Sequence, residues 1–328
     1  MTRVFSGIQP SGDLHIGNLL GALLNWVDMQ HEHDSVYCVV DLHALTLPIE
    51  PEVLRAGTIE AAQLLIAIGI DPEKSILFVQ SHVPQHPQLA WLMECTVSYG
   101  ELSRMTAFKD KSNRDGTKFV SAGLFTYPAL QAADILLYDT DFVPVGDDQR
   151  QHVEITRDIA ERFNSRYGET FVVPAHVIPP AGARVMDLQH PGRKMSKSEE
   201  GAGTVNVLED PKAIEKKFKR AVTDSESDVR YDVEAKPGVS NLLSILSAAT
   251  GETPDALADK YTQYGPLKGD TAEAVIERLR PIQERFAELQ ADPAETSRLL
   301  RLGADKAEAI ASDVLARAKT NVGLLPAT

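Results

Sequence analysis

An apolar stretch, Arg3 to Ile8, runs straight into a glycine-bracketed turn and then into a segment with leucines at helical spacing. No other feature restricts the fold as strongly. The turn reads Gly7-Ile8-Gln9-Pro10-Ser11-Gly12-Asp13. Leu19, Leu20, Leu23, Leu24 and Val27 then fall on one face of a helix over His15 to Gln30. A Val-rich run, Ser35 to Val40, reads as a second strand. Pro51 opens and Gly69 closes an apolar-faced helix, and Ser75 to Gln80 is a third strand. Strand, helix, strand, helix, strand in this order predicts a parallel sheet with helices on both faces. Such sheets bind ligands at the carboxyl ends of their strands, near the point where strand order reverses. The turn after the first strand is therefore the expected site.

Further along, Ser98 to Gly123 is polar, carries Arg104, Lys109, Lys111, Arg114 and Lys118, and reads as a loop rather than a packed element. Leu124 to Leu137 reads as a helix, Phe142 to Val145 as a short strand and Gln149 to Phe163 as another helix. Ala183 to Leu188 reads as the last core strand. From Asp210 onward strand signals fade and Ala, Leu, Glu and Arg dominate, which predicts an all-helical region. The expected organisation is a doubly wound, Rossmann-like α/β domain over residues 1–190 and a linker over 191–209. A helical domain over 210–295 follows, and then a terminal helix over 296–328 that packs back on the first domain.

The 328 residues can bury a substantial core. The apolar runs are far shorter than the ~20 residues of a membrane span, and no secretory segment precedes the glycine turn. Cys38 and Cys95 sit in apolar contexts and read as buried free thiols. These observations point to the cytoplasm. A net charge of −14 argues against a protein that grips nucleic acid with its whole surface. Local basic patches remain, one from Lys212 to Arg220 and another around Arg278, Arg280 and Arg285. Taken singly, each also reads as a solvated helix face.

The first turn can hold phosphates. Gly7 and Gly12 let a ligand approach the backbone, and the following helix offers unpaired N–H groups and a positive dipole end. His15 and Asn18 share a face of its first turns, and Gly17 leaves room for a flat base or ribose. The pattern is neither a P-loop nor the dinucleotide fingerprint, so a triphosphate must be neutralised from elsewhere. Far downstream the chain reads Lys194-Met195-Ser196-Lys197-Ser198. By composition alone this is a surface loop. Folded over the first turn, its two ammonium groups would meet phosphates chiefly in the transition state.

The two motifs together resemble the HIGH and KMSKS signatures of the class I aminoacyl-tRNA synthetases, the second letter for letter. Gly7 to Gly12, Asp41-Leu42-His43-Ala44, Tyr127-Pro128, Ala132-Ala133-Asp134, Val143 to Gln149, Ala235 to Gly238 and Arg280-Pro281-Ile282 resemble the tryptophanyl branch more than the tyrosyl one. The first motif ends in Asn18, as is usual in that branch. The resemblance spans nearly the whole chain and implies activation of L-tryptophan by ATP with Mg²⁺, then transfer to tRNA(Trp), by a homodimer.

It also implies roles for residues. Gln9, Pro10, Ser11, Gly17 and Asn18 match ATP-contacting positions. Gly146, Asp147, Asp148 and Val185 match positions around the adenosine. Lys194, Met195, Ser196, Lys197 and Ser198 match the phosphate loop, and Lys109 and Lys111 lie on a loop that approaches the phosphates in relatives. His15, Lys111, Lys194 and Lys197 are the expected catalytic groups. Phe5, Gly7, His43, Tyr127, Gln131, Val143 and Gln149 are expected around the amino acid, with Gln131 standing where many relatives carry Met. His43 reads equally as a strand-end core histidine. Asp134 matches the carboxylate that accepts the indole N–H. Indole carries one donor and no acceptor, so a carboxylate aimed at it rejects side chains lacking that donor. A tyrosyl enzyme and a catalytically silent, RNA-binding relative are the alternative readings.

Overall fold

The computed structural model describes residues 1–10, 14–106, 120–146, 149–177, 184–196 and 201–326. Five parallel strands form one sheet: β1 (Arg3–Ile8), β2 (Asp34–Val39), β3 (Ile76–Val79), β4 (Phe142–Pro144) and β5 (Ala175–Val177). Their order is β3-β2-β1-β4-β5, so the chain reverses direction across the sheet between β1 and β4. The pleat divides the apolar residues between two cores. Tyr37, Val39, Leu77 and Val79 face one layer, built on the first helix, the Pro51–Ile68 helix and the C-terminal helices. Val36, Cys38, Ile76 and Phe78 face the other, built on the Gln85–Glu94, Ala122–Leu136 and Arg150–Tyr167 helices. Burial on both faces is why β2 and β3 read as continuous apolar runs.

The doubly wound reading holds, with local differences. The first helix is three segments in register: Ile16–Asn18, a π-helical stretch Leu19–Leu23, and Leu24–Met29. Gly69 ends the Pro51–Ile68 helix with φ at 123°, which a residue with a Cβ rarely adopts. The last core strand expected at Ala183 to Leu188 does not join the sheet among its described residues. Met186 instead bridges Lys194 in antiparallel sense, with Met195 N–H bonded to Val185 O and Asp187 N–H to Arg193 O. This hairpin leads into the lysine motif. The fifth strand is Ala175–Val177, which is too short to show a strand period in the sequence.

The loop expected over Ser98 to Gly123 begins instead with a helix, Tyr99–Arg104. Ser98 and Glu101 form a reciprocal capping box, and Leu102 and Met105 are buried. Arg162 pairs with Glu101 and, as the largest cause, holds its carboxyl down at about 2. Residues 107–119 lie outside the described residues. Cys38 is buried as expected, whereas Cys95 is exposed.

Beyond residue 210 every regular element among the described residues is a helix: Pro211–Lys219, Pro237–Thr250, Pro254–Ala258, Tyr264–Ala291 and Pro293–Asn321. Gln63 of the Pro51–Ile68 helix donates to Leu289 O and Thr296 Oγ1, both at 3.2 Å, which ties this region to the sheet layer. The Pro293–Asn321 helix lies on β3, and Arg317 Nε reaches Thr170 O at 2.7 Å. Among the described residues no helix is long and apolar enough to cross a membrane.

Gly303 permits that last packing. A Cβ at this position would stand 1.7 Å from Leu77 O, so the helix could not lie on the strand. Gly303→Val should cost roughly 2–4 kcal/mol of stability by overpacking, read as a lowered urea midpoint. An unchanged midpoint would mean that the helix is not held against β3.

Candidate active site

β1 pairs with β2 along all six residues, yet with β4 only at Val4↔Phe142. Beyond that rung the two strands part. A cavity of about 460 Å³ occupies the gap at their carboxyl ends, where strand order reverses. Phe5, Gly7, His43, Tyr127, Gln131, Asp134, Val143 and Gln149, the residues expected around the amino acid, all line it. Gln9 and Gly146 from the expected nucleotide set line it too. Val40, Ile135, Pro144 and Val145 add apolar wall, and Ser6, Ala22, Trp26 and His152, which were not foreseen, line it as well.

Asp134 is the most constrained group here. It projects from the Ala122–Leu136 helix and is only 1% exposed. His43, on the short helix that follows β2, places Nε2 at 2.8 Å from Oδ2. His86, on the Gln85–Glu94 helix, places Nδ1 at 2.6 Å from Oδ1. Gln80, at the end of β3, donates Nε2–H to Oδ1 at 2.7 Å. Leu42 N–H occupies Gln80 Oε1 at 3.1 Å, so the amide must turn its NH₂ toward the carboxylate. Burial alone would raise the Asp134 pKa. The hydrogen bonds from His43 and His86 outweigh burial and hold it well below the usual carboxylate range.

Gln80 and His86 were not singled out in the sequence. Gln80 closes the third predicted strand, where a ligand-facing polar residue is expected, so its position carried a signal. His86 had none. Opposite Asp134, the Tyr127 hydroxyl lies 2.5 Å from His152 Nε2, and burial pushes its pKa up to about 12. The Tyr127 and His43 rings meet edge to face at 6.2 Å.

The nucleotide motifs adjoin this cavity. His15 caps the first helix by accepting Asn18 N–H on Nδ1 at 3.3 Å, and Asn18 Oδ1 accepts His15 N–H in return at 3.3 Å. With Nδ1 an acceptor, the neutral ring carries its proton on Nε2. The space above Gly17 is not open for a base. A Cβ there would meet His15 Nδ1 at 2.9 Å and Met195 Cβ at 3.6 Å, so glycine makes room for the imidazole itself.

The two motifs are joined through backbone. Ile16 N–H donates to Val205 O at 2.9 Å and Val207 N–H to Leu14 O at 2.8 Å. Thr204 Oγ1 donates to Ser196 O at 3.2 Å. Val185 and Met195 are buried in the same core as Leu14 and Ile16, while Lys194 is exposed. Pro10 is buried with its carbonyl against Gly57, where a Cβ would stand only 2.7 Å away. Ser11, Lys109, Lys111, Asp147, Asp148, Lys197 and Ser198 lie outside the described residues. Among the described residues no cluster of His, Cys, Asp or Glu side chains is arranged to hold a metal ion.

Comparison with known proteins follows the same line. Residues 1–280 match the family described as tRNA synthetases class I (W and Y). Tryptophan--tRNA ligase 2 of Streptomyces avermitilis is 54% identical over 329 residues, covering 99% of this chain and 98% of that relative. The crystal structure of tryptophanyl-tRNA synthetase from Mycoplasma pneumoniae superposes with a TM-score of 0.89 at 35% identity, covering 99% and 98% of the two chains. The Campylobacter jejuni tryptophanyl-tRNA synthetase complexed with ADP and tryptophan superposes with a TM-score of 0.85 at 36% identity, covering 98% and 100%.

The depressed Asp134 pKa fixes a pH signature. A lowered folded-state pKa stabilises the protein fully above the unfolded value of about 4 and is lost as pH falls through the folded value. The stability gap between wild type and Asp134→Asn should therefore stay constant from about pH 7 to 5 and narrow below about 4. Urea unfolding across that range reads the gap, and narrowing already between pH 7 and 5 would contradict the assignment.

Proposed function

The chain belongs to the class I tRNA synthetases (W and Y), and from that premise we propose that it activates L-tryptophan with ATP and transfers it to tRNA(Trp). The observation that carries the choice of amino acid is the buried, ionised Asp134 on the wall of the cavity. The tryptophanyl carboxylate attacks the ATP α-phosphate in line and releases pyrophosphate. The protein contributes position and charge rather than covalent chemistry. His15 presents its Nε2–H to the α-phosphate beside the first helix N-terminus. Lys194 and Lys197, with Lys111, neutralise the departing pyrophosphate. The ATP phosphate oxygens, which suit a hard cation, would hold Mg²⁺, and it would supply charge neutralisation there. The terminal 2′-hydroxyl of the tRNA then attacks the carbonyl carbon of the adenylate, losing its proton, and the acyl–phosphate bond breaks to release AMP.

In this reading residues 1–190 hold the chemistry and 191–209 form the phosphate loop and linker. Residues 210–295 read the anticodon end through their basic patches, and 296–328 brace the first domain. The working unit is a homodimer in the cytoplasm, with tRNA bridging the subunits. Gln9, Pro10, Ser11, Gly17, Asn18, Gly146, Asp147, Asp148, Val185 and Met195 to Ser198 surround the nucleotide. For Gly17 the role is indirect, because the residue seats the His15 ring.

The direct test is amino-acid-dependent ATP–pyrophosphate exchange. Tryptophan should drive exchange and tyrosine should not; a strong tyrosine signal with none from tryptophan would overturn the reading. Lys197→Ala should lower the rate of adenylate formation more than ATP affinity, read by single-turnover kinetics against ATP binding. Equal losses would place the lysine in ground-state binding instead.

A further inference from the structure

Three protein donors already occupy the Asp134 carboxylate: Gln80 Nε2 and His86 Nδ1 on Oδ1, and His43 Nε2 on Oδ2. An ionised carboxylate has about four lone-pair sites, so one remains, on Oδ2. We infer that Gln80, His86 and Tyr138 are positioning residues that set this count, so that Asp134 accepts one further donor in one direction, matching the single N–H of an indole. The inference rests on the tryptophan reading and deepens it.

The geometry that enforces the count lies behind the cavity wall. His86 is fully buried, and its Nε2 lies 2.8 Å from the Tyr138 hydroxyl. Tyr138 is itself fully buried, stacks on Phe5 at 5.7 Å, and keeps its proton because burial raises its pKa. Its O–H donates to Nε2, which leaves the His86 proton on Nδ1, facing Asp134. Gln80 is fixed in the same sense by Leu42 N–H. Asp134 cannot turn about its terminal torsion without breaking bonds to β3, to the helix after β2 and to the Gln85–Glu94 helix. The free lone pair is thereby aimed as rigidly as the sheet. A ligand ring without a donor leaves that site desolvated and empty, which is costly in a buried carboxylate.

The test compares L-tryptophan with its benzothiophene analogue, in which sulfur replaces the indole N–H, by ATP–pyrophosphate exchange. Wild type should favour tryptophan strongly in kcat/KM. His86→Leu should lower the tryptophan-to-analogue ratio roughly tenfold, through the tryptophan KM, with the analogue little changed. His86→Asn, whose side-chain N–H can stand in for Nδ1–H, should recover most of the ratio. Tyr138→Phe, which frees the His86 tautomer, should lower it by a smaller factor. Should His86→Leu not fold, His86→Asn and Tyr138→Phe decide on the same ratio. A folded His86→Leu or Tyr138→Phe that loses both substrates equally, or an unchanged ratio, overturns the positioning role. Wild type that exchanges with tyrosine but not tryptophan overturns the underlying function instead, and the two failures are told apart without any variant.

Discussion

A carboxylate stripped of water has to be satisfied by the protein around it, and the placement of Asp134 shows how much structure that takes. Its partners come from the end of β3, the turn of helix after β2 and the helix that follows β3. Those elements converge because parallel strands end on the same side of the sheet, and their helices start there. The cavity that Asp134 faces exists because β1 and β4 part after one rung. Fold and recognition are thus one constraint: the strand order opens the gap, and the strand ends supply the donors that keep a charge beside it. Isolated, such a buried charge would be neutralised; held by these donors it stays ionised.

The nucleotide side is built on a different principle, since its groups are held by backbone. Residues 14–16 of the first motif pair with 205–207, a short way downstream of the lysine motif. Met195 and Val185 are buried with Leu14 and Ile16. The described chain on either side of residues 197–200 is therefore anchored, by the hairpin of 193–195 with 185–187 and by the strand-like pairing beside His15. Gly17 serves the His15 ring rather than an open surface. A histidine fixed by its own helix cap and an exposed lysine at a hairpin end divide the work sensibly: one group stays still and the other can reach phosphates.

Much of this was legible in the sequence, for reasons that particular residues make plain. The βαβαβ start announced itself because Val36 to Val39 and Ile76 to Val79 are buried on both faces and must be apolar throughout. Pro51 and Gly69 marked their helix because each has one backbone role there. The amino-acid pocket was reached through the family resemblance, and the structure gathers those residues into one cavity. Three features stayed hidden. Ala175–Val177 is too short for a period, and the more apolar stretch ending at Leu188 drew the strand assignment although it forms a hairpin. The Tyr99–Arg104 helix sits in a polar segment and depends on one capping box. Gln80 and His86 act on Asp134 across 54 and 48 residues, a distance over which sequence spacing carries no information.

The central claim is that one lone pair of Asp134 meets one indole N–H, and nuclear magnetic resonance of bound, ¹⁵N-labelled tryptophan observes that proton directly. The account predicts an indole N–H resonance shifted downfield of free tryptophan and slow to exchange with water, moving back toward the free position in Asp134→Asn. An N–H that resonates and exchanges as it does in free tryptophan, in a saturated wild-type complex, would contradict it.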